Sequence, residues 1–453
     1  MSKFKHSTPR QRLLLPVNLE EWVPQDDLCH FVIAAVERVG MEEFQTNERG
    51  TGSEQYHPRM MLAMLIYCYA NGVFGSRRIE RATYRDIGAR YITADEHPDH
   101  DTICKFRREN FEAIAASFLE VLVLARELGL MKVGMVSVDG TKVDANASKH
   151  RSVRYDRAKA LVGQLRLDIA KLMERAERAD DEQEEKDPQS LPEELRRREV
   201  LAAKLAEACV RLEAGAKARA ESEREGYERK VAEREGRKGK SKGKKPKPPD
   251  DTPSGSEQTN LTDPDSGLMR KNKHSEYRQS YNAQAVVDAD GSQLVLGAGV
   301  SQCASDRNEL LADIEAVPCA VGKPTCVLAD NGFANEDEVV ELEKHEMEVL
   351  VAIAGGGRQR RYDFRPPKEP TSPKPALSEW QESMRKRMDE EAARKKYRLR
   401  QQTVEPVFGI IKHVIGFRQF LLRGHEKVQG EWQLVCVSYN FKRLHRLAGA
   451  KAA

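Results

Sequence analysis

The sequence predicts an α/β fold of the α+β multidomain kind, with a mixed sheet, flanking helices and further all-helical segments. Short valine-rich runs, which are typical of buried strands, alternate with helical segments in the second half of the chain. Residues 20–110 and a charged stretch near the middle instead show helical spacing of their apolar residues. At 453 residues, the chain is long enough for two or three domains.

The overall composition permits nucleic-acid binding without requiring it. Lysine and arginine number 75 against 72 acidic residues, so affinity for a polyanion must come from local basic clusters. The longest apolar run, residues 60–70, is about half of the roughly 20 residues that a membrane helix needs, so no membrane segment is expected. The eight cysteines show no CxxC pair and no zinc-ligand spacing, which favours reduced thiols in a cytosol.

Residues 1–125 are predicted to form an all-helical N-terminal domain. Apolar blocks separated by polar turns indicate short helices, and Ser76 is suited to cap one of them. A later helix carries Lys105, Arg107 and Arg108. Three short helices with a basic last one favour a helix-turn-helix-like domain whose basic residues contact DNA. The alternative is an ordinary helical bundle with solvated arginines.

An α/β domain split into residues 126–153 and 275–447 is predicted around the strands. Its first strand is the valine-rich run that ends at Asp139. The remaining predicted elements are strands at 281–287, 293–300, 325–329 and 348–353, helices at 306–317 and 335–344, a charged helix from 379 to about 412, and a last helix at 428–447.

The two parts of this α/β domain are separated by an insertion. Residues 154–234 have heptad spacing with a central break, which predicts two long helices packed as an antiparallel, coiled-coil-like hairpin. Residues 235–274 are predicted to be a basic, disordered linker, because the tract 236–249 contains no apolar residue. Such a tract either binds phosphates electrostatically or is simply a solvated linker.

Two aspartates are placed where ligand sites in open α/β sheets gather. Asp139 and Asp330 each end an apolar strand, and Gly140 and Gly332 follow them closely. A pair of such acids with a third can hold two Mg²⁺ ions for phosphoryl transfer. Taken singly, each aspartate is better explained as a turn or cap residue, but the two together, in this order of strands, favour a metal site. Asp144 is a weaker candidate, since it follows the predicted strand end.

The third acid is expected on the helix near residue 405. Glu405 lies between apolar neighbours, and Lys412 follows seven residues later, about two helical turns along the same face. One face would therefore present a carboxylate for a metal ion and an ammonium group for a phosphate. A surface glutamate and lysine are the alternative interpretation.

These motifs resemble the bacterial insertion-sequence transposases of the DDE type, in the branch whose acidic helix carries a Tyr-x2-Arg-x3-Glu-x6-Lys signature. Asp139 in VSVDGTKVDANAS resembles the first catalytic aspartate of the family, and Asp330 in LADNGF resembles the second. Glu405, Lys412 and Tyr397 match the glutamate, lysine and tyrosine of the third motif. The stretches DPDSGLM and YNAQAVVD also look like the family's second-strand region.

The resemblance implies a ribonuclease H-like sheet and a metal-binding DDE triad of Asp139, Asp330 and Glu405. Two Mg²⁺ ions per site are implied as cofactors, with Mn²⁺ as an alternative. The implied activity is cleavage of double-stranded DNA at the element's terminal repeats and strand transfer into target DNA. The resemblance also implies a homodimer in the DNA complex and a cytoplasmic, nucleoid-associated location in a bacterium.

The chain departs from the family signature at its arginine. Four residues, not three, separate Arg400 from Glu405, so on a regular helix Arg400 would face about 140 degrees away from it. Arg398 lies seven residues before Glu405 and would share its face. Arg398 and Arg400 therefore remain alternatives for the signature arginine, which is expected to contact DNA phosphates.

Two other functions remain open at this stage. One is a DNA-binding protein derived from a transposase that does not cut DNA, and the other is a metal-dependent nuclease of the same fold that never joins ends. The first predicts metal-independent binding and tolerance of Asp330→Asn. The second predicts broken DNA without any strand-transfer product.

Overall fold

The computed structural model describes residues 18–46, 55–182, 190–236, 247–271, 274–353 and 377–452. Its contacts divide the chain into two compact units. The first unit, here the core unit, comprises residues 1–143, 282–422 and 426–453, and the second, the insertion unit, comprises residues 144–281 and 423–425.

The described helices and strands are distributed over both units. The helices are α1 (Leu19–Trp22), α2 (Leu28–Val36), α3 (Pro58–Ala70), α4 (Ser76–Arg85), α5 (Ile87–Ile92), α6 (His100–Glu109), α7 (Phe111–Glu127), α8 (Tyr155–Glu182), α9 (Ser190–Gly236), α10 (Leu310–Glu315), α11 (Glu336–Lys344), α12 (Glu379–Asp389), α13 (Glu391–Arg398), α14 (Arg400–Gly409) and α15 (His425–Ala452). The strands are β1 (Met135–Asp144), β2 (Ser152–Arg154), β3 (Gln258–Asn260), β4 (Gly267–Met269), β5 (Arg278–Asp288), β6 (Val295–Ser301), β7 (Cys326–Ala329) and β8 (Glu348–Val351).

Several N-terminal helices begin at polar caps, but the prediction that Ser76 caps a helix is wrong, because Gly75 is the N-cap of α4 and the helix has no side-chain cap bond. Asp86 and Asp99 accept backbone N–H groups at the starts of α5 and α6. The apolar run at 60–70 lies in α3 and is buried, as predicted. In the described part of the chain, no helix is both long enough and apolar enough to cross a membrane.

The core unit is built on a mixed sheet, which confirms the predicted α/β class. β1, β7 and β8 are parallel, with Val136 opposite Val327 and Val327 opposite Val349. β5 lies on the other side of β1 and pairs antiparallel with β6. Asp288 organises the turn between β5 and β6, since its side chain accepts from the backbone N–H of Ser292.

The N-terminal helices belong to the same compact unit as this sheet, although they were predicted as a domain of their own. The Phe74 ring packs edge-on against Phe417, with centroids 5.2 Å apart. Phe31 contacts Phe441 in the same manner at 6.0 Å. Through these aromatic contacts, the N-terminal region packs against the segment that follows α14 and against α15.

The C-terminal helices differ from the predicted pair. The helix expected from 379 to about 412 is divided into α12, α13 and α14, followed by a π-helical turn at Ile410–Ile415. The last helix extends from His425 to Ala452, further than predicted. Its Trp432 donates to the Gln284 carbonyl of β5 at 2.8 Å, and Asn440 bonds both backbone groups of Val295 on β6.

The insertion unit contains the predicted helical hairpin. The Tyr155 hydroxyl of α8 bonds Glu213 of α9, and Asp168 lies near Arg198, a pattern that only antiparallel helices produce. The prediction of a disordered linker over 235–274 is wrong for its second half, where β3 pairs with β2 and β4 pairs with the start of β5. Residues 237–246 of the basic tract lie outside the described residues.

A buried carboxyl on α10 should make stability pH-dependent. Burial raises the pKa of Asp313 from 3.8 to about 8, so the folded protein holds a proton that the unfolded chain releases. The contribution of Asp313 to stability is then greatest below about pH 4 and falls by up to about 1.4 kcal/mol per pH unit until about pH 8. Asp313→Asn should flatten this dependence in urea unfolding between pH 5 and 8. Asp337→Asn, at an exposed position of α11, is the matched control.

Candidate active site

The first of the predicted acids is held in the interior of a strand. β1 continues to Asp144, so the expected strand end at Asp139 is wrong, although the parallel pairing with β7 stops at Ser137. The Asp139 side chain is 19% exposed, and its Oδ1 accepts the Gly140 N–H at 2.9 Å. Burial raises the pKa of Asp139 to about 6, against the opposing effect of the Arg400 guanidinium.

The second acid directly follows the neighbouring parallel strand. Asp330 comes after β7 and begins a short 3₁₀ turn, in which its Oδ1 accepts the Gly332 N–H at 2.6 Å. The Tyr397 hydroxyl donates to the Ala329 carbonyl at 3.1 Å, immediately before Asp330. Tyr397 also packs against the apolar cluster that includes Leu328, so α13 supports the end of β7.

The three predicted acids converge on the guanidinium group of Arg400. Its Nη2 lies 2.9 Å from Asp139 Oδ2 and 3.9 Å from Asp330 Oδ2, and its Nη1 lies 3.6 Å from Glu405 Oε1. The Arg400 side chain is 10% exposed, and its buried Nε has no hydrogen-bond partner among the described residues. The structure therefore brings together Asp139, Asp330 and Glu405 around one buried positive charge.

Arg400, rather than Arg398, lies among the acids. The angular argument for Arg398 assumed one continuous helix, whereas α13 ends at Arg398 and α14 begins at Arg400. At this junction the N–H groups of Leu399 and Gln402 bond the carbonyls three residues earlier, so regular α-helical rotation does not apply. Arg398 is exposed.

Lys412 is directed at the backbone and side chains of β1. Its Nζ donates to Thr141 Oγ1 at 2.6 Å and to the Lys142 carbonyl at 2.7 Å. The π-helical turn begins at Ile410, so Glu405 and Lys412 are not separated by two regular turns as predicted. Lys412 thus joins the helical segment after Glu405 to the strand that carries Asp139.

The basic residues of α6 do not share one environment. Arg107 is 3% exposed, and its Nη1 donates to the Tyr69 hydroxyl at 2.7 Å and to the Phe74 carbonyl at 3.1 Å. The prediction that Arg107 contacts DNA is therefore wrong, because its guanidinium is buried and hydrogen-bonded to other groups of the protein. Lys105 and Arg108 are exposed.

Sequence reasoning missed a fourth acid near the site. Asp306, in the segment between β6 and α10, accepts hydrogen bonds from Asn282 and Gln284 and lies 3.7 Å from Lys142 Nζ. The available signal was the pair of amide residues alternating with alanine in the otherwise apolar run YNAQAVV. Asp144, the weaker candidate for the first acid, instead pairs with Arg278 at 2.9 Å.

The donor set has the chemistry that a hard divalent cation requires, since it offers carboxylate oxygens. The three acids already surround the positive charge of Arg400, so their arrangement suits a cation. In the described residues, however, no three Asp, Glu, His or Cys side chains are grouped closely enough to hold one ion. With Arg400 between them, the carboxylates are spread around a guanidinium, which is larger than a metal ion.

The burial of Arg107 predicts a structural role that separates it from its neighbour. Arg107→Gln should lower the free energy of unfolding by about 3 kcal/mol, because buried Glu431 and Tyr69 lose their cationic partner. Arg108→Gln removes the same charge at an exposed position and should change it by less than about 0.5 kcal/mol. Urea unfolding measures both variants, and equal effects would contradict the assignment.

Two known families match the chain, one towards each end. Residues 17–109 match the family described as Transposase domain (DUF772), which spans helices α1 to α6. Residues 367–445 match the family described as Transposase DDE domain, which includes Arg400, Glu405 and Lys412. No curated protein and no solved structure matches the chain. Both family matches support an insertion-sequence transposase of the DDE type, as the sequence motifs predict.

Proposed function

We propose that the chain is a DNA transposase that cuts and joins phosphodiester bonds at a site formed by Asp139, Asp330 and Glu405. The observation that carries the proposal is the convergence of these three acids on Arg400, at distances of 2.9 to 3.9 Å. The acids come from three separate elements, so local turn or cap formation does not account for their meeting. The match of residues 367–445 to a DDE domain, which includes Glu405 and Arg400, supports the part of the site on α14.

We infer that the same three carboxylates hold divalent metal, Mg²⁺ or Mn²⁺, with two ions as the expected number. Asp139, Asp330 and Glu405 would hold these ions, which would supply Lewis-acid activation of water and stabilisation of the leaving 3′ oxygen of DNA. The protein's part is to fix the carboxylates: β1 holds Asp139, and the Tyr397 bond to the Ala329 carbonyl holds the start of the Asp330 turn.

The inferred substrates are the terminal repeats of the element and the target DNA. Lys105 and Arg108 present exposed positive charge on α6, within the region that matches a transposase domain. Because two element ends must be joined in one event, we infer that two copies of the chain pair in the DNA complex. The α8–α9 hairpin offers a long surface for that pairing.

Replacement of single acids tests the activity. Asp139→Asn, Asp330→Asn and Glu405→Gln should each lower the metal-dependent cleavage and joining of labelled DNA with the flanking element ends by at least about 1000-fold, because each removes a metal ligand. Asp337→Asn is the matched control at an exposed aspartate. Wild-type binding without cleavage would instead support a DNA-binding protein, and cleavage without joined product would support a nuclease.

The positive charge of Arg400 lies among the three acids in the metal-free protein and should therefore oppose metal binding. Arg400→Gln should tighten Mn²⁺ binding in the absence of DNA, since the competing buried cation is removed. The same variant should lose about 3 kcal/mol of stability in EDTA, because the largely shielded Asp139 is left without its counter-ion. Calorimetric titration and urea unfolding measure the two effects.

Arg398→Gln is the control for Arg400→Gln, because Arg398 carries the same charge two residues earlier at an exposed position. Both its Mn²⁺ affinity and its stability in EDTA should equal those of the wild type. Unchanged or weaker Mn²⁺ binding by Arg400→Gln would show that the guanidinium does not compete with metal.

A further inference from the structure

Helix α4 has one face on which exposed arginines are concentrated. Four of its ten residues are arginines. These residues, all of them exposed, are Arg77, Arg78, Arg81 and Arg85. At roughly 100 degrees per residue, their positions fall within about 100 degrees of the helix circumference. Ile79 and Thr83, which are buried, lie on the opposite side, so α4 has a distinct arginine face.

The charge of this arginine face is not neutralised by the described part of the chain. None of its four guanidinium groups forms an ion pair there, whereas Arg38 of the same unit pairs with Glu127 at 2.6 Å. Glu80, the single acid of α4, lies instead 3.0 Å from His100 of α6. Four positive charges are thus concentrated on one short helix, although the whole chain has a net charge of only +3.

Contacts with α6 and with the segment before it fix the position of α4. Cys104 Sγ of α6 donates to Ser76 Oγ at 3.4 Å, and His97 Nδ1 lies 3.1 Å from Thr83 Oγ1. The His97 ring also stacks on the ring of Tyr84, with centroids 3.7 Å apart. α4 is therefore anchored by these neighbours, while its arginine face is open to solvent.

Helix α6, in contrast, has no excess of charge on its exposed surface. Its exposed Lys105 and Arg108 are accompanied by exposed Asp101 and Glu109, and Arg107 is buried. The two positive and two negative exposed side chains balance each other. Attraction of DNA phosphates depends on excess positive charge, which α4 provides and α6 does not.

We propose that α4 places its arginine face in the major groove of double-stranded DNA at the element ends. An α-helix with its side chains is about 10–12 Å across, and the major groove is about 12 Å wide. Arginine suits this partner because its guanidinium bonds phosphates and guanine edges in a bidentate manner. A protein partner would require apolar area at the centre of the interface, and the arginine face has no large apolar side chain besides Tyr84. This inference rests on the proposed transposase function and names a surface that binds its substrate.

The first test measures the affinity of the full chain for labelled duplex DNA with the flanking element ends, in EDTA so that cleavage does not interfere. Arg77→Gln/Arg81→Gln should weaken binding at least about tenfold at about 0.1 M salt and lower the slope of log affinity against log salt concentration by about 2, because two phosphate contacts are lost. Arg78→Gln/Arg85→Gln is a second, independent pair with the same expected result. Glutamine is a good helix former, so the melting temperatures should equal that of the wild type. The matched control is Arg385→Gln/Arg394→Gln, which removes two exposed arginines of α12 and α13 and should bind as the wild type does.

The second test determines which groove α4 occupies. Dimethyl sulfate methylates guanine N7, which faces the major groove, and adenine N3, which faces the minor groove. Methylation of guanine N7 within the element ends should prevent binding of the wild type. In at least one of the four single arginine-to-glutamine variants of α4, methylation of one such guanine should no longer matter, because the contact with it is already lost.

The outcomes separate this inference from the function on which it rests. A wild type that binds no duplex DNA would overturn the proposed function and the role of α4 together. Wild-type binding that is unchanged in both α4 pairs, or weakened equally in the control pair, would overturn the role of α4 alone. Interference from methylated adenine N3 without any from guanine N7 would overturn its placement in the major groove.

Discussion

The contact of one guanidinium group with three carboxylates is the constraint around which the candidate site is organised. Asp139 is four-fifths shielded from solvent, and burial alone would favour its neutral form. Arg400 opposes that effect at 2.9 Å and also approaches Asp330 and Glu405. One positive charge therefore offsets part of the negative charge that the three carboxylates bring together in the metal-free protein.

Contacts between strands and helices hold the segments that carry Arg400 and the three acids in place. Parallel pairing of β1 with β7 brings Asp139 and Asp330 to neighbouring positions, and Tyr397 ties α13 to the last carbonyl of β7. Lys412 ties the turn after α14 back to β1. The strands and helices that carry the acids are thus joined to one another, which limits their relative movement.

The succession of β1, β5, β6, β7 and β8 along the chain could be predicted from the sequence, because their apolar runs are local signals. The same local patterns, with the motif around Glu405, singled out three acids that the structure brings near one another. The choice between Arg398 and Arg400 could not be made from the sequence. Counting roughly 100 degrees per residue requires one continuous helix, whereas the backbone hydrogen bonding changes at Leu399. Arg107 was wrongly predicted to contact DNA. Its place in the sequence next to exposed Lys105 and Arg108 does not show that its side chain bonds the buried Tyr69. Asp306 was missed because only the fold brings it to Gly140 and Gly332.

The buried partners of Arg107 connect helix α6 to the sheet of the core unit. Arg107 of α6 interacts with Tyr69 of α3 and with Glu431 of α15, and the Glu431 carboxylate accepts the N–H groups of Leu421 and Leu422. Trp432, the next residue, is bonded to β5. Buried contacts therefore connect α6 through α15 to the sheet, so a movement of α6 relative to β5 would have to break them.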